Sequence, residues 1–169
     1  MTIIPQLVQA LEPWKSLFSV SKAVASIVTG VHLVGLLFGG GLAVAADRTT
    51  LRALRRPPAE RAAALGELHA VHRPVLVALT ALFVSGAALA AADLESFLAS
   101  PVFYFKLGLV TLLLANGLVL ERTERALRRA APGAGAETRL WYRLRATAWL
   151  SLMLWASTVA AGTVLVNAA

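Results

Sequence analysis

Val31-His32-Leu33-Val34-Gly35 runs on through Gly39-Gly40-Gly41 to Asp47-Arg48-Thr49, and Phe105-Lys106-Leu107-Gly108 runs on to Glu121-Arg122-Thr123. Each is a long apolar run with one basic residue well inside it. Each ends in nearly the same basic string, Arg52-Ala53-Leu54-Arg55-Arg56 in the first and Arg125-Ala126-Leu127-Arg128-Arg129 in the second. With the acid-Arg-Thr triplets aligned, His32 falls on Lys106 without a gap. About 20 apolar residues match a hydrocarbon core of roughly 30 Å, so both runs read as membrane spans. Their likeness reads as two related halves.

Two further apolar runs complete a set of four, at about 23–46, 75–92, 102–120 and 146–166. The chain of 169 residues is 58% hydrophobic and only 15% charged, which is more apolar surface than a soluble domain of this size can hide. The predicted fold is all-α: a polytopic membrane four-helix bundle, built of two parallel helical-hairpin repeats in a single domain over residues 21–169. The match between the second helices of the two halves is weaker. It sets Leu68, Arg73, Leu82, Ser85 and Ala88 on Leu140, Arg145, Leu154, Ser157 and Ala160.

Residues 1–20 place Ile4, Leu7, Val8, Leu11 and Phe18 at roughly helical spacing, beside Trp14 and Lys15. That pattern suits an amphipathic segment lying in the outer interface; the alternative is an irregular tail. The stretch does not read as a signal peptide, because it lacks a basic n-region and Pro5, Glu12 and Pro13 precede the first span.

The net charge of +7 suggests nucleic acid until its distribution is considered. All thirteen Arg fall within about 47–73 and 121–145, where six carboxylates leave a net +7. Elsewhere the three Lys (Lys15, Lys22, Lys106) balance Glu12, Asp93 and Glu95. Basic loops mark the cytoplasmic side. The expected location is therefore the cell inner membrane, with both termini outside and both Arg-rich loops in the cytoplasm. The expected partner of those loops is anionic lipid headgroups, at about 1 kcal/mol per Arg, and not nucleic acid. With no Cys, thiolate metal sites and redox thiols are excluded.

Local signals divide the chain further. Ser21 is an expected N-cap, and the first helix should stop before Pro57-Pro58. Residues 59–68 read as a short cytoplasmic helix, 93–100 as an outer turn, Pro101 as the opening of the third span, and Trp141-Tyr142 as an aromatic interface anchor. Small residues line one face of each span. Ala25, Thr29, His32, Gly35, Gly39 and Ala43 do so on the first, and Ala78, Ala81, Ser85, Ala88 and Ala92 on the second. Gly108, Thr111 and Ala115 do so on the third, beside the amide of Asn116. Such faces let helices approach closely in lipid.

Ionisable groups inside spans are costly and mark functional candidates. His32 and Lys106 each lie fifteen residues before their triplets, about 22 Å up a helix, so they should share one depth in the outer half. A neutral imidazole there can ligate haem iron, with Lys106 as a second ligand or a propionate partner. Gly35, Gly39 and Gly108 would open a slot for a planar group. Against this stand a histidine bonded to a hydroxyl of the next helix and a lysine that snorkels outward, with the glycines there for helix contact. His69 and His72, near Glu67, are a weaker metal pair at the cytoplasmic edge; interfacial histidines are the plainer reading. No phosphate loop, zincin motif or Ser-His-Asp arrangement is present.

Lys106-Leu107, Val110, Leu112-Leu113 and Arg122, with Leu33 after His32 and Gly35 to Gly41 below it, resemble the HemJ-type protoporphyrinogen oxidases and the related CopD-like membrane family over the first and third helices. The resemblance implies a helical bundle holding haem b on His32, with Lys106 as its intramembrane basic residue. The family's Tyr-Leu-Pro-Arg run is replaced here by Leu42-Ala43-Val44-Ala45-Ala46-Asp47.

Two functions follow. One is a redox membrane protein binding haem b or a porphyrin. The other is a non-catalytic helical subunit or scaffold among membrane-protein partners. A transporter is disfavoured, since no acid is expected inside the spans, and a copper carrier is disfavoured because Met1 and Met153 form no thioether ladder.

Overall fold

Ser21 starts the architecture. Its backbone is extended and its Oγ accepts a hydrogen bond from the Val24 N–H at 3.3 Å, which meets one of the orphan donors of a helix start. From there the computed structural model, which describes residues 3–130 and 135–168, is helical almost throughout. Before Ser21 lies α1 (Ile3–Val20), and after it α2 (Lys22–Ala53). Arg61 then donates to the carbonyls of Leu54 and Arg56, satisfying acceptors that the end of α2 leaves open.

Pro57 and Pro58 stop α2 and begin α3 (Pro58–Ala92). Proline suits a first helical turn, where its missing N–H is not needed. The short helix expected over 59–68 is not separate: it continues through Pro74 into the span. One missing donor does not end a helix whose other bonds persist. The expected outer turn holds a six-residue helix, α4 (Leu94–Ala99). Pro101 then opens α5 (Pro101–Arg129), and α6 (Gly135–Ala168) closes the chain.

Among the described residues, four helices are long and apolar enough to cross a membrane: Lys22–Ala53, Arg73–Ala92, Pro101–Arg129 and Gly135–Leu165. The chain is an all-α four-helix membrane bundle, as its sequence predicts. Large apolar side chains such as Leu37, Phe38, Val77, Phe83 and Phe105 stand exposed around it, where lipid is their natural solvent.

The helices pack as two hairpins, α2 with α3 and α5 with α6, joined chiefly through α2 against α6. A closed pair of related halves would bring α3 against α5 to the same extent. These two helices hardly meet, and the bundle is open along that side. At its basic end Ala53, Leu127, Trp141 and Leu144 form one core cluster; further up, Leu113, Leu154 and Trp155 form another. Trp141 therefore belongs to the core, only 4% exposed, with the Arg61 guanidinium 5.6 Å from its ring centre. Its neighbour Tyr142 is the exposed one.

The α1 segment is a helix, not an irregular tail. Its Trp14 indole donates to the Ala88 carbonyl at 2.8 Å, which ties α1 to the last turns of α3. The exposed pair Lys15–Glu95, at 3.8 Å, adds little.

Candidate functional site

The small-residue face of α2 meets the small-residue face of α3. A Cβ added at Gly39 would lie 3.0 Å from the Ala78 Cβ, and one at Gly35 would lie 3.1 Å from the Leu82 side chain. One turn above Gly35, His32 Nδ1 lies 3.0 Å from Ser85 Oγ. That hydroxyl is itself 2.6 Å from the Ala81 carbonyl. The Leu82 backbone is a further hydrogen-bond partner of the ring, and the tautomer sets which way the Nδ1–Oγ bond runs. Gly86 makes room for the ring, since a Cβ there would come within 3.2 Å of His32 Cε1.

Lys106 behaves in a parallel way in the other hairpin. It reaches across to α6, where a Cβ on Gly162 would lie 3.3 Å from its Nζ. Each intramembrane basic group thus rests over a glycine of its own hairpin partner. The two lie within electrostatic reach of each other.

The glycines are placed otherwise than a planar slot requires. The surfaces of Gly35 and Gly39 are filled by Leu82 and Ala78, and Gly108 faces open space with nothing near it. The physical reason is that two helices with matching small faces gain more from direct contact than from a gap. Further down, α5 is tied to α6 by Asn116, whose Nδ2 donates to the Thr147 carbonyl at 2.9 Å, buried. The side chains of His69 and His72 lie outside the described residues. Among the described ones, no group of three or more His, Cys, Asp or Glu is placed to hold a metal ion.

The open side of the bundle forms a cleft of about 400 Å³. Its mouth lies between α3 and α5, where Leu76, Leu114 and Leu118 are both lining and exposed. Its floor is α2 and α6, with Ala43, Ala46 and Trp155. At the basic end it is bounded by Asp47, Thr50, Glu121 and Glu124. None of His32, Lys106, Gly35, Gly39 or Gly108 borders it.

Asp47 is 3% and Glu124 2% exposed. Asp47 has Ser151 of α6 as a hydrogen-bond partner, while its Oδ2 is buried without one. Glu124 lies near enough to Asp47 to act on it electrostatically, and Arg128 acts on Glu124 in turn. The sequence hides these acids inside Arg-rich strings, which read as solvated helix ends. A signal was present nonetheless. Asp47, Thr50 and Ala53 recur at three-residue spacing, as do Glu124 and Leu127, so each acid shares a helix face with a core residue.

No family model, characterised protein or solved structure matches the chain.

Proposed function

We propose that the chain is a non-catalytic helical membrane subunit or scaffold, in which His32 and Lys106 lock their hairpins. The observation that carries this reading is the contact of His32 with Ser85 and Gly86 across α2 and α3. It gives the half-buried imidazole a hydrogen-bond partner and a fitted surface, which is what a structural histidine needs.

The test is a double-mutant cycle. His32→Ala and Ser85→Ala should each lower stability in detergent by about 1 kcal/mol, typical of one hydrogen bond, and the two should be non-additive. Additive losses would sink the proposal.

The haem b reading has one observation in its favour. His32 Nδ1 is held by Ser85, and such an outer partner is what orients a metal-bound histidine. His32 would then hold the iron, and haem would supply one-electron chemistry. The cradle does not fit, because Ala78 and Leu82 already occupy the glycine surfaces. Protein purified from haem-replete cells should be colourless. A Soret band lost in His32→Ala would instead favour haem.

A further inference from the structure

We propose that the cleft between α3 and α5 is a binding site for a lipophilic monocation, an ammonium or phosphonium centre on an apolar body. It would enter from the bilayer with its charge beside Asp47.

The cleft has the size of a small-molecule site and walls of Leu, Val and Ala side chains. Its polar groups converge at one end. Asp47 supplies the decisive observation. Its side chain lines the cleft, the residue is 3% exposed, and Oδ2 has no hydrogen-bond partner. Among the described residues no Lys or Arg pairs with it, although Arg residues are abundant nearby in sequence. A buried carboxylate oxygen without a partner is costly unless a proton or cation offsets it. The cleft is where such a cation has room. Glu121, which pairs with Arg125, and Glu124, on which Arg128 acts, border the same end, so Asp47 is the acid left for a ligand. Trp155 on the floor offers an aromatic face for a cation.

The shape fixes the rest of the ligand. The mouth is rimmed by exposed Leu76, Leu114 and Leu118, so access is from lipid rather than water. A hydrophilic cation would have to cross apolar surface to reach Asp47. An anionic amphiphile would bring a second negative charge to the partnerless Oδ2 of Asp47. An apolar body carrying a single positive charge satisfies both walls and end.

The experiment uses the full chain in nanodiscs of zwitterionic lipid, with labelled tetraphenylphosphonium as probe. Tetraphenylborate, of the same shape and opposite charge, corrects for partition into the bilayer. Saturable binding of the cation at one site per chain, with none for the anion, is expected. Asp47→Asn should weaken cation binding at least tenfold while circular dichroism and thermal unfolding show the fold retained. Leu76→Trp, at the exposed rim, should block entry without touching the acids. Equal uptake of both ions, or unchanged binding in both variants, would overturn the proposal. So would a co-purifying phospholipid that the cation fails to displace, since it would make the cleft a lipid site. His32→Ala, chosen to probe the hairpin lock, should leave cation binding unchanged, so the two proposals fail separately.

Discussion

Gly39 and Gly41 are two residues apart in a run of three glycines, and they sit in opposite surroundings. The first faces Ala78 so closely that any side chain there would force its neighbour to shift; the second has open space around it. Gly39→Val should therefore push α2 from α3 and cost about 1–3 kcal/mol, the usual range for overpacking. Gly41→Ala should be neutral or stabilising, since alanine favours helix over glycine. Thermal unfolding in detergent measures both. Equal effects at the two positions would mean that contact with α3 is not what selects glycine. Asp47 makes the complementary point for charge. The residue reads as half of an acid-Arg pair at a membrane edge, but the helix turns its carboxylate inward to Ser151 and leaves Arg48 exposed.

At the scale of elements, the two hairpins are fastened by different chemistry. α2 and α3 are joined by close small-residue contact and the His32–Ser85 bond. α5 and α6 share the Asn116–Thr147 bond and the apolar contacts around Trp155. Asn116→Leu should loosen α5 from α6 by about 0.5–2 kcal/mol, the range for hydrogen bonds between membrane helices. The fall in stability should be read together with increased proteolysis between α5 and α6. Ser21→Ala removes the cap of α2 and should cost about 1 kcal/mol, appearing as faster amide exchange at Val24 and its neighbours. Unchanged exchange there would show that α1 packing, not the cap, holds that end.

For the whole molecule, the distribution of charge predicts orientation. Reporter fusions near Arg56 and near Arg129 should both read cytoplasmic, because basic loops are retained on that side. An external reading at either loop would overturn the charge argument. The same loops should raise affinity for vesicles containing anionic lipid, with the effect shrinking as salt rises. Vesicle flotation at two salt concentrations checks this.

The sequence by itself determined the helix class, the four spans and several boundaries. Length, apolar content, Ser21 and the prolines act within one or two turns, so their effects are local and readable in order along the chain. It also determined the matched small faces, since Gly35, Gly39, Ala78 and Ser85 recur at helical spacing whatever the packing. Only the tertiary structure decided how the faces were used. His32 is bonded to Ser85 rather than left facing a slot because α3 reaches it first with a hydroxyl and a glycine. Trp141 is core rather than interface because α2 and α5 extend far enough to cover it. The acids of the Arg-rich strings became a buried end of a cleft for a reason no single helix contains. α2 packs on α6 while α3 and α5 stay apart, and that asymmetry, absent from two nearly equivalent strings, turns Asp47 toward an open interior.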